Sequence, residues 1–253
     1  MTGDGINDAP ALRRAHIGVS MGQRGAAVAR EASDLVLLDD NFSSLVVAIR
    51  EGRRVFADIQ SAFLYLAGFK TMVISIALFA PLLALPILLL PVNLVWLELI
   101  VHPVSALGFD SGTGSPALMR HPPRDPNAPI VPFWPGLSAA MSVALLAVGT
   151  LWLYHARLGH GEAYARGAAM TTILAGSILL VAAEIARDPA RQKTRVPLGL
   201  RFWIVSAPVA ASLPLFMAIR PAASLLGIQW ITWSDFAIGW LTAVLAVGWR
   251  IFV

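Results

Sequence analysis

Apolar stretches of about 20 residues recur from residue 62 to the end of the chain, and they constrain its fold more than any other feature. A helix rises 1.5 Å per residue, so about 20 residues are needed to cross roughly 30 Å of hydrocarbon. The six segments are residues 62–83, 87–107, 133–154, 168–186, 202–219 and 236–252. We therefore predict an α-helical membrane protein with six transmembrane helices.

The composition agrees with a membrane protein and excludes several other classes. Hydrophobic residues make up 57% of the chain and charged residues 13%, which lies outside the balance of an ordinary soluble domain. The absence of cysteine from the sequence excludes disulfides and thiolate metal sites. The 19 basic residues are scattered through loops and form no basic and aromatic stripe, so we expect no nucleic-acid partner.

The distribution of basic residues predicts the orientation in the bilayer. An even number of spans places both ends on one side, and cytoplasmic loops carry an excess of Lys and Arg. The loops on the side of the N-terminal region carry Arg120, Arg124, Arg187, Arg191, Lys193, Arg195 and Arg201. The opposite loops carry Arg157, Arg166 and Arg220. We predict an integral membrane protein of the bacterial plasma (inner) membrane with both termini in the cytoplasm.

Residues 1–58 differ from the rest of the chain, because they are polar and rich in turns. Short aliphatic runs at 17–21 and 35–38 predict strands, and residues 26–32 and 45–59 predict helices. This is half of an α/β pattern. A domain of this size buries too small a fraction of its surface to be stably folded alone, so we expect the rest of its sheet to lie outside this chain.

A glycine-rich turn near the start carries the residues most suited to chemistry. Asp4 and Asp8 flank Asn7, and a strand ending near Met1 precedes the turn. Such a turn can direct two carboxylates at one magnesium ion and an amide at a phosphate, because hard cations prefer oxygen ligands and glycine allows close approach of the backbone. An ordinary Asx turn is the alternative that these residues leave open.

The longer sequence around this turn resembles the hinge motif of P-type ATPases. The run at residues 2–12 reads T-G-D-G-I-N-D-A-P-A-L, and the likeness continues through 15–22, 28–34, 39–42 and 51–53. Further along, R-H-P-P-R at residues 120–124 resembles the loop that follows the sixth transport helix in the calcium-pump branch. The likeness weakens over the last three helices.

The resemblance implies a domain organisation and a set of site residues. Residues 1–58 would be the end of a haloacid-dehalogenase-like phosphorylation domain and its stalk, and residues 59–253 the last six membrane helices. Asp4, and with it Asp8, would bind the catalytic magnesium, while Asn7 and Asp8 contact the phosphoryl group and hold the geometry. Gly3 and Gly5 would allow the close approach of the bound group.

The family scheme also needs parts that this sequence does not contain. An aspartate in a D-K-T-G-T motif attacks the γ-phosphate of ATP, and this motif is absent here. The nucleotide-binding domain, the actuator domain and the first four membrane helices are absent as well. We expect ATP to be bound mainly by those missing parts, and the chain alone to be inactive. The sequence leaves open whether it is a fragment, a truncated gene product or an independent subunit.

Three ionisable residues fall inside the first two apolar segments, where a charge costs at least about 2.5 to 3.5 kcal/mol. Lys70 and Glu98 lie at similar depth in adjacent segments, which predicts an ion pair. His102 follows Glu98 by one helical turn, and Pro103 breaks or kinks the helix beside them. Freed carbonyls next to a carboxylate form a cation site. The alternative is a purely structural pair with a snorkelling lysine.

These residues depart from the calcium-pump pattern. The asparagine and glutamate that the first of these helices usually carries are replaced by Lys70 and Val73, and the usual Asp-Gly-x-Pro of the second becomes V-H-P at residues 101–103. We therefore expect a proton or a monovalent cation rather than two calcium ions. Glu184, near the end of the fourth segment, is predicted to reach the cytoplasmic interface.

The sequence is compatible with three functions. The first is part of an ATP-driven cation pump, and the second is a non-catalytic membrane subunit or regulator. A secondary transporter with a small cytosolic domain would leave the hinge resemblance unexplained.

Overall fold

The computed structural model describes residues 1–101, 119–120, 122–125, 127–187 and 200–251. The chain divides into two compact units, Met1–Val55 and Phe56–Val253. His102 and Pro103 therefore lie outside the described residues.

The first unit contains a parallel sheet of three short strands in the order β1 (Thr2–Gly3), β2 (Val19–Met21) and β3 (Leu35–Leu37). Thr2 pairs with Val19, and Val19 pairs with Leu35. Both strands predicted from the aliphatic runs are present, together with a strand before the glycine-rich turn. Every strand is shorter than the mean of about 5 to 6 residues.

Each parallel pair is joined through a helix, because parallel strands need a crossover connection. The first crossover is α1 (Ala9–Arg14), which begins with Pro10 in its first turn, a position where the missing N–H of proline costs nothing. The second is α2 (Ala27–Ala32). Leu12 of α1 and Ala29 of α2 are fully buried in one small apolar cluster.

A single helix of 41 residues, α3 (Phe42–Leu82), follows the sheet. The sequence pattern predicts two separate helical segments here, at 45–59 and 62–83. They are continuous because no glycine or proline lies between Gly52 and Gly68, so nothing interrupts the backbone ladder. The one proline inside α3 is Pro81, in its last turn.

The second unit is helical. Helix α4 (Pro91–Trp96) continues into a π-helical segment, Leu97–Val101. It is followed by α5 (Phe133–Arg157), α6 (Glu162–Ala186), α7 (Leu200–Ala218), α8 (Arg220–Leu226) and α9 (Trp233–Val247). Helix α6 lies at the centre and packs against α5, α7 and α9.

Small residues allow the helices to approach α6 closely. A side chain at Gly176 would meet Leu146 of α5 at 2.7 Å, and one at Gly239 of α9 would meet Thr171 at 3.0 Å. Small residues at helix contacts are typical of membrane bundles, where association depends on close packing.

Among the described residues, three helices are long and apolar enough to cross a membrane: α3, α5 and α6. A fourth span is obtained if α7 and α8, which are bent by 101° at the break between them, count as one. Pro91–Val101 is a shorter apolar helix. The prediction of a mostly helical membrane protein is thus confirmed, while the number of six spans stays a prediction.

Candidate functional site

The glycine-rich turn begins where β1 ends, and Asp8 organises it. One carboxylate oxygen of Asp8, Oδ2, accepts hydrogen bonds from the backbone N–H of Gly5 at 2.9 Å and of Asp4 at 3.2 Å. Gly3 is required for this arrangement, since a Cβ there would lie 2.6 Å from the Cβ of Asp8. The N–H of Gly5 is therefore engaged within the turn, and Asp8 holds its geometry.

Asp4 and Asn7 are exposed on this turn. Within the described part of the chain, the carboxylate of Asp4 makes no hydrogen bond or ion pair, so its oxygens are available to a ligand. No group of three or more His, Asp or Glu side chains in the described ranges is placed to hold a metal. Two carboxylates still suit magnesium, which keeps several of its waters and binds through one or two carboxylates.

The loops after β2 and β3 lie at the same edge of the sheet as Asp4, because all three strands are parallel. The N–H of Ala26 donates to the carbonyl oxygen of Asp4 at 2.8 Å. Asp40 accepts the backbone N–H of Gln23 and that of Arg24, each at 2.9 Å. These contacts join the three loops around the turn.

The electrostatics of the loop after β3 follow from these hydrogen bonds. Partial burial of Asp40 favours its neutral form, but the N–H donors of Gln23 and Arg24 outweigh this and lower the pKa of the Asp40 carboxyl. The pKa of Asp39 is also lowered, mainly by the Ser44 hydroxyl, which donates to Asp39 Oδ2 at 2.5 Å. Both carboxylates are thus held ionised at this edge of the sheet.

In the second unit, Lys70 of α3 and Glu98 of the π-helical segment form an ion pair. Lys70 Nζ lies 2.5 Å from Glu98 Oε2, and the two side chains are 49% and 35% exposed on the surface of this chain. The matching depth inferred from the sequence thus corresponds to direct contact in the structure. A π-helical segment is rare and occurs frequently at functional sites, because it changes the winding and the direction of its side chains.

Several charged residues make contacts that were not predicted from the sequence. Glu184 does not reach the interface as predicted: it is 4% exposed and pairs with Arg250, which is fully buried. Arg157 and Arg166, assigned above to loops, lie in α5 and α6. Arg157 pairs with Asp235 at 2.7 Å, and Arg166 is 6% exposed.

A signal for one of these residues was present in the sequence. Arg250 falls inside the predicted span 236–252, and an ionisable residue within an apolar segment indicates a buried partner. Arg166 was missed because the fourth span was predicted to begin at residue 168, whereas α6 begins at Glu162.

Comparison with known proteins identifies the family. The family described as cation transporting ATPase, C-terminus, matches residues 86–253. The chain belongs to the P-type cation-transporting ATPases. It is 40% identical over 187 residues to a calcium-transporting ATPase of Bacillus subtilis, covering 72% of this chain and 21% of that protein.

A second relative of this P-type ATPase chain is the cation-transporting ATPase pma1 of Synechocystis sp., which is 42% identical over 134 residues. That likeness covers 52% of this chain and 14% of the relative. The chain thus spans about a fifth or less of the length of these relatives. The resemblance to the C-terminal portion of these pumps, inferred from the hinge motif, is confirmed.

Proposed function

We propose that this chain forms the C-terminal portion of an ATP-driven cation pump, which couples aspartyl-phosphate chemistry to ion translocation. The observation that carries the proposal is the Lys70–Glu98 ion pair on two apolar helical segments. Placing ionisable residues within apolar membrane segments costs free energy, and such residues commonly mark ion pathways.

The exposure of the Lys70–Glu98 pair supports the proposal that further protein covers it in the bilayer. Lys70 is about half exposed and Glu98 about one third exposed on the surface of this chain. A charged pair directed at lipid is unfavourable, so a polar cavity or further protein must cover it in the bilayer. The first four membrane helices of the pump, which lie outside this chain, would supply that cover and the remaining cation ligands.

The charge of the pair bears on the transported cation. An ammonium 2.5 Å from the carboxylate already neutralises it, which disfavours a divalent ion and suits a proton or a monovalent cation. The Bacillus relative is described as calcium-transporting, so this chain would differ from it in substrate. His102, four residues after Glu98 in the sequence, carries an imidazole, the side chain suited to pH-dependent roles, and it would adjust the cation affinity in this proposal.

The glycine-rich turn would serve the phosphorylation site. Asp4, with an available exposed carboxylate, is the magnesium ligand in this proposal, and the second oxygen of Asp8 completes the pair. Asn7 would contact the phosphoryl group. Bound magnesium supplies charge stabilisation for phosphoryl transfer. ATP itself and the phosphorylated aspartate would belong to domains outside this chain.

We also propose six spans with both ends in the cytoplasm of a bacterial cell. Reporter fusions after Gly114 and Thr194 should then report the cytoplasm, and a fusion near Gly161 the opposite side. The reverse pattern would contradict the orientation.

The function is tested by phosphorylating the complete pump that carries this chain with labelled ATP and magnesium. The wild-type protein should form an acid-stable, hydroxylamine-sensitive phosphoenzyme that depends on the transported cation. Glu98→Gln should keep phosphorylation but lose transport and cation dependence. Glu51→Gln is the matched control, because Glu51 pairs with Arg54 outside the apolar part of α3.

Two outcomes would overturn the proposal. Transport by Glu98→Gln at the wild-type rate, with unchanged cation dependence, would place the pathway elsewhere. Labelling of the isolated chain by ATP would also contradict it, since the chain lacks the D-K-T-G-T nucleophile. Stable copurification with a separate, complete ATPase polypeptide would instead identify a membrane subunit.

A further inference from the structure

Arg166, near the start of α6, contacts backbone carbonyls of two other segments. Its Nε donates to the carbonyl oxygen of Leu88 at 2.9 Å and its Nη2 to that of Ile87 at 2.9 Å, both in the connection between α3 and α4. Its Nη1 donates to the carbonyl oxygen of Gly227 at 2.5 Å, just after α8. A single guanidinium thus joins three parts of the helical unit.

Asn93 completes this arrangement from within α4. It is fully buried, and its Nδ2 donates to the carbonyl oxygen of Leu226 at 2.8 Å. Its Oδ1 accepts the N–H of Leu90 at 2.8 Å, which satisfies an otherwise free donor at the beginning of α4. We call the five side-chain bonds made by Arg166 and Asn93 the polar clasp.

The backbone at Gly227 is adapted to the clasp. Gly227 has a φ of +60°, the left-handed conformation that commonly ends helices. A Cβ at this position would lie 3.0 Å from Arg166 Nη1 and 2.7 Å from a methyl group of Leu90. A glycine is therefore needed here both for the backbone conformation and for the approach of the guanidinium.

The clasp fixes one end of the helix that carries Glu98. Its bonds hold the connection before Pro91 and the first turn of α4 against α6 and α8. The winding changes to π-helical at Leu97, one residue before Glu98. Since the Pro91 end is held, a change in the direction of Glu98 has to arise within the π-helical segment and not by rotation of the whole helix.

We propose that Arg166 is a positioning residue for the cation site: by fixing the Pro91 end of α4, it sets the direction in which the π-helical segment presents Glu98. This inference rests on the proposed transport function. Arginine suits the task better than lysine, because its planar fork can donate to several carbonyls at once, whereas an ammonium is a single point of charge.

The test measures the cation concentration for half-maximal phosphorylation of the complete pump by ATP. Arg166→Met should raise it about tenfold, the lower end of the losses that follow removal of an outer-shell partner of a metal ligand. Arg166→Lys should give a smaller increase. Arg220→Met, which removes an exposed arginine at the start of α8, should leave it unchanged.

A purely structural role predicts a different result. Loss of general stability would reduce the amount of phosphoenzyme without changing the cation concentration for half-maximal labelling. An unchanged value in Arg166→Lys and Arg166→Met, with cation-dependent labelling of the wild type intact, would overturn the positioning role and leave the function standing. If the wild type itself shows no cation dependence, both proposals fail.

A second measurement needs no ATPase activity. The sequence contains no cysteine, so spin labels can be attached at Val92→Cys in α4 and Ala222→Cys in α8 without background. The distance distribution between them should be narrow in the otherwise unchanged chain and in Arg220→Met, and clearly broader in Arg166→Met. An equally narrow distribution in Arg166→Met would show that the clasp does not fix α4 and would overturn the proposal.

Discussion

Arg250 and Glu184 form an ion pair in the interior of the helical unit, with Arg250 Nη2 2.5 Å from Glu184 Oε1. The side chains are 0% and 4% exposed, respectively. The pair joins the 3₁₀ turn after α9, Gly248–Ile251, to the last turns of the central helix α6. Two further guanidinium nitrogens of Arg250, Nε and Nη1, are buried and have no hydrogen-bond partner among the described residues.

Removing one member of this pair should destabilise the protein more than removing both. Arg250→Met leaves the Glu184 carboxylate buried and unpaired, which costs about 3 to 5 kcal/mol. The double variant Glu184→Leu/Arg250→Met should recover most of this loss, because an apolar pair of similar volume packs in the same space. The measurement is the unfolding free energy of the detergent-solubilised chain, followed by tryptophan fluorescence.

The exposed Arg220→Met is the control for that series, and it should change stability by less than about 0.5 kcal/mol. A loss in the double variant equal to the sum of the losses in Glu184→Leu and Arg250→Met would mean that the two residues contribute independently.

Lys70 and Glu98 should behave differently from this buried pair, because both are partly exposed on the chain. In the solubilised chain alone, Lys70→Met or Glu98→Gln should cost less than about 1 kcal/mol, as for other solvated ion pairs. In the complete pump, each single variant should cost about 3 to 5 kcal/mol, and the double variant less, if further helices cover the pair.

Thermal unfolding of these variants, measured in the solubilised chain and in the complete pump, shows whether further helices cover the pair. The same small loss in the chain and in the complete pump would mean that the pair faces water in both. Transport measurements on the same variants should show loss of activity in each single variant, since both charges belong to the proposed pathway.

The sequence predicted the elements that have a strong periodic or compositional signal. The aliphatic runs at 17–21 and 35–38 correspond to β2 and β3, and the apolar runs correspond to helices in the part of the chain that the structure describes. The proximity of Lys70 and Glu98 was predictable, because ionisable residues within apolar membrane segments commonly pair with one another. The two residues also occupy matching positions of adjacent segments.

Contacts between helices distant in the sequence could not be predicted in the same way. Arg166 reaches carbonyls near residues 87–88 and 227, and no local pattern specifies which segments an arginine will cap. The pairing of Glu184 with Arg250 likewise depends on how α9 packs against α6. In the sequence, the proline after Arg220 indicates the break between α7 and α8, but the sequence does not specify the bend of 101° between these helices.

Gly3 should tolerate substitution poorly. The Cβ of Gly3→Ala would come within 2.8 Å of three atoms of Asp8, which holds the turn through the N–H groups of Asp4 and Gly5. Displacement of Asp8 should weaken magnesium binding by the chain at least about tenfold, as for other groups that orient metal ligands. Titration of magnesium monitored by NMR shifts of the Asp4 and Gly5 amides measures this.

Gly52→Ala is the matched control for that variant. Apart from its chain neighbours and the nearby backbone of its own helix, no atom of the described residues lies within 4 Å of a Cβ at Gly52, and the residue is inside α3. Alanine there should stabilise the helix by roughly 0.5 to 1 kcal/mol and leave magnesium binding unchanged. Equal magnesium affinity in Gly3→Ala and Gly52→Ala would contradict the role of the turn.

Asp40 should make the loop after β2 sensitive to acid. Partial burial opposes ionisation of Asp40, but the N–H groups of Gln23 and Arg24 outweigh it, so the pKa of this carboxyl lies below its ordinary value of 3.8. A carboxyl whose pKa is lower in the folded state stabilises the fold above its unfolded pKa, and this contribution is lost as the pH falls through the folded pKa. We therefore expect the Gln23 and Arg24 amides to be protected from hydrogen exchange above about pH 4 and to lose protection below it.

Asp40→Asn separates the charge from the backbone conformation. Asp40 has a φ of +51°, a left-handed conformation that asparagine also adopts readily, so the variant removes the negative charge without added backbone strain. Exchange of the Gln23 and Arg24 amides, corrected for the intrinsic effect of pH, should then be faster above pH 4 and nearly independent of pH. Asp39→Asn is the control, because Asp39 accepts its hydrogen bonds from Ser44 and Asn41. This variant should leave exchange of the Gln23 and Arg24 amides unchanged. Protection that persists to pH 2 in the wild type, or that survives in Asp40→Asn, would show that another contact holds this loop.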